Sequence, residues 1–330
     1  MYTFPKHYII IHKTFCKCKQ IFKEKFIFVD FFSIDLYNNS IKGEIMLPNP
    51  IFYLFGNGVY MYGICIAVGL ISCIGVFYLY TKKKGVPAKI QDYIFFIAIA
   101  AIAVGFLFAK LYQALYDYIE NPEAGFDFYG AGMTVMGGLI GGAGSFLLLY
   151  FLIGKFYFKG KEKDIHKKYF NEVFRVAPLC ILIAHGFGRL GCLMSGCCHG
   201  AYLGEDFVFG GVYMRAPDVG LWGYYVPTQL YEALFLFATF GVLSFLYFKK
   251  DCNVTMHIYL IAYGIWRIFI EIFRTDERGA MVLGLAPSQW QSIIFIVGGI
   301  ALFAFYIIKK IPLFIPKKTE TADSSTNEVE

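Results

Sequence analysis

The sequence predicts an all-α integral membrane protein, a polytopic bundle of about seven transmembrane helices. Of its 330 residues, 58% are apolar and 19% are aromatic, whereas a soluble domain is usually about 45–50% apolar. Apolar runs of about 20 residues, enough to cross the hydrocarbon core as a helix, recur along the chain. The short alternating strands of an outer-membrane barrel do not occur, so helices must satisfy the backbone polar groups within lipid.

Seven apolar runs define the predicted spans. They are residues 59–80, 93–115, 134–153, 173–193, 227–248, 257–273 and 291–308. The fourth span contains His185 and Arg189, and the sixth contains Arg267 and Glu271. A helix that faces lipid on all sides would not keep these charges, so both spans are expected to face a protein interior.

The two ends of the chain differ in composition from the apolar region between them. Residues 1–45 mix Lys, Phe and Asn without a sustained helical stripe, and they lack the features of a signal peptide. Because Met46 opens MLPNPIFYLF like a natural start, we expect residues 1–45 to be a non-native or unstructured extension. Residues 46–312 form the predicted transmembrane domain, and residues 313–330 are expected to be a disordered cytoplasmic tail.

Lysines are concentrated in the loops that follow the odd-numbered spans. They are Lys82, Lys83, Lys84, Lys89, Lys155, Lys159, Lys161, Lys163, Lys167, Lys168, Lys249, Lys250, Lys309, Lys310, Lys317 and Lys318. Basic loops stay in the cytoplasm by the positive-inside rule, which places the N-terminus outside and the C-terminus inside. The net charge of +6 therefore reflects topology, and no nucleic-acid partner is expected.

Ionisable side chains within two spans are the strongest functional signal. His185 and Arg189 are four residues apart and share a helix face, and Tyr263, Arg267 and Glu271 share another at i, i+4 and i+8. A charge at bilayer depth costs at least about 2.5–3.5 kcal/mol, so it marks a functional site by default. The alternatives are that Arg189 snorkels to the interface and that Arg267 and Glu271 form a purely structural pair.

Two arginines that face one membrane interior favour an anionic ligand. A guanidinium group keeps its charge and binds phosphate through paired donors. The abundant phosphate ligand of a membrane is a lipid headgroup, so membrane lipid is the predicted partner.

A glycine-rich segment, GAGMTVMGGLIGG, occupies residues 130–142. Its small residues permit close helix packing or a close approach of the backbone to a ligand, and Gly137 and Gly138 are the candidate binding residues. It lacks the Lys-Ser/Thr ending of a P-loop, so nucleotide binding is not predicted.

The segments PTQLYEAL and APSQWQSI each place a glutamine near the start of a span. Gln229 is a candidate substrate contact, and plain helix starts are the alternative. Thr228 and Ser288, each following a proline, are candidate N-caps.

Three of the nine cysteines cluster in HGFGRLGCLMSGCCHG, at Cys192, Cys197 and Cys198. An adjacent Cys-Cys-His sequence lacks the separated ligand pairs of a structural zinc site, so we predict neither a metal nor a cofactor. A disulfide at this outer face stays open as an alternative, because that side of the membrane is oxidising.

From residue 46 to about residue 310 the chain resembles the prolipoprotein diacylglyceryl transferases, which are polytopic bacterial membrane enzymes. The resemblance rests on GMTVMGGLIGG, GRLG after His185, PTQLYEAL, YGIWRIFIEIFR and LAPSQWQSI, in this order on seven spans. It implies transfer of diacylglycerol from phosphatidylglycerol to the lipobox cysteine thiol of prolipoprotein signal peptides, with release of glycerol phosphate. It also implies a multi-pass protein of the bacterial cytoplasmic (inner) membrane.

The resemblance also assigns residues. Arg189 matches the phosphatidylglycerol-binding arginine of the family, and Tyr263, Arg267 and Glu271 match its second functional set. These four and His185 are the candidate catalytic residues, while the identity of the general base stays open among His185, His199, Tyr263 and Glu271.

The chain departs from the family pattern at three positions. Met136 stands where the family has a His before the glycine pair, Cys192 at an Asn position and Cys197 at a Glu position. SGCCHG resembles the Gly-Cys-Cys signature of one branch of the family. The alternative function is therefore a catalytically divergent membrane lipid-binding or thiol/metal protein of the same fold.

Reporter fusions test the predicted orientation. A fusion at Lys163 should report a cytoplasmic position and a fusion at Pro217 an external one, because only the first lies in a lysine-rich loop. The reverse pattern would refute the topology and would move Arg189 to the wrong side of the membrane.

Overall fold

The described residues of the computed structural model, 50–54, 57–206, 208–217, 220–274 and 285–315, form seven α-helices. They are α1 (Met61–Lys83), α2 (Ala88–Glu120), α3 (Val135–Tyr157), α4 (Ile165–Ser195), α5 (Thr228–Lys249), α6 (Thr255–Glu271) and α7 (Pro287–Ile308). Each coincides with one predicted span, which confirms the predicted all-α polytopic class. The predicted extension, residues 1–45, lies outside the described residues, as do residues 316–330 of the predicted tail.

Six of these helices are long and apolar enough to cross a membrane. Helix α6, with 17 residues, is the short one. Large apolar side chains such as Phe96, Ile119 and Leu148 are exposed on the helix surfaces, as expected where lipid replaces water around a bundle. The N-out, C-in orientation stays a prediction, because it depends on the membrane that surrounds the bundle.

Two helices are longer than their apolar runs. Helix α4 begins at Ile165 and tolerates Pro178 within it. It ends at Gly196, whose φ of +71° is the left-handed conformation that glycine adopts most readily. Helix α2 continues to Glu120, beyond the apolar run that the sequence marks.

Helix packing is mainly pairwise, with α4 at the centre. Helix α1 packs against α4, α2 against α3, α4 against α5, and α6 against α7, while α6 also contacts α4 and α5. Leu179, Leu182, Leu236 and Leu243 are fully buried between α4 and α5. The centre of the bundle is therefore the region where α4, α5 and α6 meet.

The described residues also form five short strands, which the sequence did not predict, at one end of the bundle. Strands β1 (Phe52–Leu54) and β2 (Asn57–Val59) form a hairpin before α1. Strands β3 (Tyr202–Gly204), β4 (Val212–Arg215) and β5 (Trp222–Tyr225) form an antiparallel sheet in the order β3-β5-β4. This sheet connects the C-terminal end of α4 to the N-terminal end of α5, so it frames the ends of both helices.

A buried arginine stabilises the opposite end of α4. Arg175 donates to Glu172 Oε2 at 2.7 Å and to the Cys252 carbonyl at 3.0 Å, and its guanidinium stacks over Tyr247 at 5.0 Å. Asp251 lies 3.6 Å from Arg175 and also pairs with Lys84. Burial raises the pKa of Asp251, but the hydrogen bond and charge of Lys84 outweigh it, so the pKa stays below its usual value. This network ties α4 to the loop between α5 and α6.

Glycines set the distance between α2 and α3. A Cβ added at Gly137 would lie 2.6 Å from the Phe108 carbonyl oxygen and 2.6 Å from Tyr112 Cβ. At Gly141 the added atom would lie 2.3 Å from Phe108 Cβ. The sequence left open whether this segment serves close helix packing or a close approach to a ligand. The contacts of Gly137 are those of close helix packing.

Replacing Gly137 by alanine should destabilise the α2–α3 hairpin, because the backbone of α2 would have to shift. Overpacking of this kind typically costs about 1–3 kcal/mol. The measurement is the midpoint of thermal unfolding in detergent. Gly144→Ala is the matched control on the same helix, since an added Cβ there meets nothing within 4 Å. Equal unfolding midpoints for the two variants would contradict the packing role.

Candidate active site

A buried ion pair joins α4 to α5. Arg189 Nε lies 3.0 Å from Glu232 Oε2, and the Glu232 side chain has 0% exposure. Arg189 Nε also lies 3.3 Å from His185 Nε2, one helical turn earlier. Both charges are paired, which lowers the cost of holding them inside an apolar bundle.

Helix α6 contributes to the same site through a tyrosine. The Tyr263 hydroxyl donates to Glu232 Oε1 at 3.0 Å, and its ring lies 5.3 Å from the His185 ring. His185 Nε2 is 3.8 Å from the same carboxylate oxygen. Glu232 is thus the point where α4, α5 and α6 meet.

A second arginine lies one turn beyond Tyr263. Arg267 is 7% exposed, and its Nη1 lies 3.1 Å from Glu271 Oε2 at i+4. This nitrogen is buried and lacks the alignment of a hydrogen bond with any described residue. The charge of Arg267 also acts on His185 and on Glu232. All five predicted catalytic residues, His185, Arg189, Tyr263, Arg267 and Glu271, are therefore connected in one group.

The group offers donors to an anion. Arg189 meets Glu232 and His185 through Nε, and a guanidinium also carries two terminal amino groups that can donate. Two arginines and two glutamates leave the site formally neutral before a ligand enters. A phosphate group would therefore be bound by the directed N–H donors of the two guanidinium groups, not by an excess of positive charge.

Glu232 is the residue that the sequence analysis missed. It lies in the quoted segment PTQLYEAL, within the apolar fifth span. The cost of a charge at bilayer depth, which marks Arg189 in the sequence, applies equally to a carboxylate. The signal was present, but only the structure shows that Glu232 is the partner of Arg189.

Gln229 was predicted to contact substrate, and the structure gives it a neighbour within the protein. Its Nε2 donates to the Cys197 carbonyl at 2.6 Å, and the hydroxyl of Thr228 donates to the Cys198 carbonyl at 2.7 Å. Both side chains are fully buried. The N-terminal turn of α5 therefore holds the cysteine-containing loop, and substrate binding by Gln229 stays a prediction.

The prediction that Thr228 and Ser288 are N-cap residues was wrong. Helix α5 begins at Thr228 itself, and α7 begins at Pro287, so neither residue precedes its helix. The Gln289 side chain accepts a hydrogen bond from the Ala286 backbone N–H at 2.9 Å and satisfies the start of α7 instead.

Gly137 and Gly138, the other predicted binding residues, lie on α3. Gly137 packs against Phe108 and Tyr112 of α2, and a Cβ at Gly138 would lie 3.6 Å from Ala109 Cβ. The contacts described for these glycines are with α2, and none of them joins the Arg189 group. Their role in substrate binding stays a prediction.

The structure brings three cysteine sulfurs together at the end of α4. The Sγ atoms of Cys192, Cys197 and Cys198 all lie within 4.8 Å of one another. The sequence spacing did not predict this convergence. His199 is not part of this sulfur group. Its Nδ1 lies 2.8 Å from the Gly200 carbonyl oxygen, and its ring packs against Tyr225 at 4.6 Å.

Charge and hydrogen bonding act on the sulfur cluster. Hydrogen bonds from Cys192 and Cys197, followed by the charge of Arg274, lower the pKa of the Cys198 thiol. Arg189 is three residues before Cys192, and its charge reaches both Cys192 and Cys198. The cluster therefore lies close enough to Arg189 and Arg274 for their charges to act on it.

A cleft of about 680 Å³ opens beside this end of α4. Tyr62, Gly63, Ser195 and Pro217 are among its lining residues. Tyr62 also packs on Gly191, where an added Cβ would lie 3.1 Å from the Tyr62 ring. The cleft therefore lies next to the sulfur cluster, at the end of the bundle that carries the strands.

Comparison with known proteins gives one consistent family. The profile of the prolipoprotein diacylglyceryl transferases matches residues 50–305. A phosphatidylglycerol–prolipoprotein diacylglyceryl transferase from Clostridium tetani is 33% identical over 257 residues, which are 77% of this chain and 95% of that protein. A protein of the same name from Clostridioides difficile is 33% identical over 266 residues, which are 78% of this chain and 95% of that protein. Another from Streptococcus pneumoniae is 32% identical over 268 residues, which are 78% of this chain and 93% of that protein.

Proposed function

The chain belongs to the prolipoprotein diacylglyceryl transferase family, and we propose that its Arg189–Glu232–Tyr263 group, with Arg267, is the site of the transfer. The protein is a transferase that moves the diacylglyceryl group from phosphatidylglycerol to prolipoproteins. The observation that supports the assignment is the pair of buried arginines at the meeting point of α4, α5 and α6. A membrane protein keeps such charges where a ligand needs them.

The nucleophile of the proposed reaction belongs to the substrate. The thiol sulfur of the lipobox cysteine attacks the glyceryl CH₂ that carries the phosphate ester. A carbon–sulfur bond forms, the carbon–oxygen bond breaks, and glycerol phosphate leaves with the bonding electron pair. The thiol proton passes to a general base, for which His185, His199, Tyr263 and Glu271 are the candidates. Because a free thiol has a pKa of about 8.5, only modest activation is needed near neutral pH.

Arg189 and Arg267 act on the leaving group in this mechanism. Negative charge grows on the phosphate oxygen as the carbon–oxygen bond breaks, and positioned positive charge lowers the barrier for that step. Glu232 fixes Arg189 through Nε, which orients the remaining donors toward the phosphate. Tyr263 and Glu271 orient the carboxylate and Arg267 respectively.

Both substrates lie in the membrane, which accounts for a site built inside a helix bundle. Phosphatidylglycerol is a bilayer lipid, and the signal peptide of a prolipoprotein contains an apolar segment. The proposed location is the bacterial cytoplasmic (inner) membrane, where this multi-pass protein would meet its substrates from the lipid phase.

Substitutions of the two arginines test the site. Arg189→Lys keeps the charge but loses the planar fork, so it should already impair transfer, and Arg189→Ala should lower it by about 10²–10³-fold. The same changes at Arg267 should behave alike if both residues bind one headgroup. The double alanine variant should then be no worse than about the worse single variant, because residues that act as a unit are not additive.

The measurement is transfer of labelled diacylglycerol from phosphatidylglycerol to a lipoprotein signal peptide, at matched levels of membrane-inserted protein. Lys89→Ala, in an exposed pair with Glu162, is the control and should transfer normally. Near-normal transfer by Arg189→Ala would reduce this residue to an interfacial anchor and remove the centre of the mechanism.

Glu232→Gln should damage both stability and transfer. The change keeps the shape of the side chain but leaves the Arg189 charge buried without its partner, which costs about 3–5 kcal/mol. Misplacement of Arg189 by about 1 Å would lower transfer per folded molecule by about 10²-fold. Thermal unfolding and the transfer assay measure the two effects. Glu162→Gln, in an exposed pair, is the matched control, and a Glu232→Gln protein that behaves like it would show that the ion pair does not organise the site.

A further inference from the structure

The three clustered thiols occupy a loop that is fixed from several sides. The Cys197 N–H donates to the Cys192 carbonyl at 3.2 Å, and Gln229 Nε2 holds the Cys197 carbonyl at 2.6 Å. Thr228 holds the Cys198 carbonyl at 2.7 Å, and the Gly200 N–H donates to Val226 at 2.8 Å. The loop therefore holds its sulfurs in place before any ligand binds.

The backbone of Cys198 gives a second, independent observation. Its φ is +63°, in the left-handed region that non-glycine residues seldom occupy. Such a conformation persists only where surrounding contacts enforce it, and it is concentrated at functional sites. Here it occurs at the residue whose Sγ lies within 4.8 Å of the Sγ atoms of Cys192 and Cys197.

This arrangement fits a thiophilic divalent cation with one open position. Zinc–sulfur bonds of about 2.3 Å in a tetrahedral site place the sulfurs about 3.8 Å apart, which small side-chain rotations would reach here. Three protein ligands and an exchangeable fourth position are typical of catalytic zinc, whereas structural zinc has four protein ligands. His199 faces Tyr225 and does not supply the fourth ligand.

Two of the candidate bases for the incoming thiol, His185 and Tyr263, already have partners within the site. His185 Nε2 lies against Arg189 Nε at 3.3 Å. The Glu232 carboxylate is paired with Arg189 and accepts the hydrogen bond of Tyr263. A metal that deprotonates the thiol by coordination would activate it without a proton transfer to these residues.

We propose that Cys192, Cys197 and Cys198 bind Zn²⁺ through three thiolates, and that the open fourth position takes the thiol sulfur of the acceptor polypeptide. This inference rests on the proposed transferase function. The acceptor thiol releases its proton to water when it binds zinc. Its sulfur then attacks the glyceryl carbon as the carbon–oxygen bond breaks, and glycerol phosphate leaves toward Arg189. The product is a neutral thioether, a weak zinc ligand that dissociates, and no group changes oxidation state.

Cobalt substitution tests binding without relying on activity. The full-length protein, purified in detergent under reducing conditions and stripped with a chelator, should bind one equivalent of Co²⁺ and develop a sulfur-to-cobalt charge-transfer absorption. Serine at Cys192, Cys197 or Cys198 should abolish that absorption. Cys73→Ser, a half-buried thiol of α1 that hydrogen-bonds Cys180, should keep it. Loss of the signal in Cys73→Ser as well, or its absence in the wild type, would overturn the site.

A thiol peptide tests the open position. A lipobox peptide should shift the cobalt spectrum as a fourth sulfur joins, and the same peptide with serine in place of cysteine should not. An unchanged spectrum with the thiol peptide would overturn the assignment of the fourth ligand.

Zinc removal from the wild-type protein tests the chemistry without any substitution. Transfer at pH 7 should fall by about 30-fold and return with Zn²⁺, because a free thiol of pKa about 8.5 is only about 3% ionised at that pH. Full transfer by the metal-free protein, or a fully active protein with a disulfide among the three cysteines, would overturn the proposal and leave the transferase function intact. A protein that binds cobalt but never transfers diacylglycerol would instead refute the function and keep the metal site.

Discussion

The ion pair between Arg189 and Glu232 is the interaction on which the centre of this bundle depends. A lone charge within the membrane is costly, and two charges tolerate that position only when they face each other with good geometry. Their contact of 3.0 Å fixes α4 against α5, and the hydrogen bond from Tyr263 adds α6. The same carboxylate that stabilises the three-helix junction also orients the guanidinium that the proposed reaction uses, so structure and chemistry share one constraint.

Helix α5 connects the two halves of the site. Thr228 and Gln229 hold the carbonyls of the cysteine loop, while Glu232, one turn later, holds Arg189. A displacement of α5 would therefore move the sulfur cluster and the arginine together. This coupling explains why a helix whose sequence is almost wholly apolar begins with three fully buried polar side chains.

Helix α4 is fixed by arginines at two levels. Arg175 binds the loop between α5 and α6. Arg189, which meets Glu232, lies about 21 Å farther along α4 at the helical rise of about 1.5 Å per residue. The first belongs to a structural network with Glu172, Asp251 and Tyr247, whereas the second is the arginine that we propose binds the phosphate of the lipid. Hydropathy alone does not separate these roles, because both arginines lie in one long helix. The partners that surround each arginine separate them.

The sequence by itself determined the seven helices through their apolar runs. It also pointed to five candidate residues of the proposed site, since a charge in such a run is costly wherever it lies. It also determined family membership through motifs in a fixed order. Only the tertiary structure decided that Glu232 is the partner of Arg189, that Gly137 packs against α2, and that Cys192 meets Cys197 and Cys198. The physical reason is that helical periodicity and hydropathy describe each helix alone. Ion pairs, glycine contacts and a sulfur cluster depend instead on how the helices are rotated relative to one another. They also depend on loop conformations such as the positive φ of Cys198.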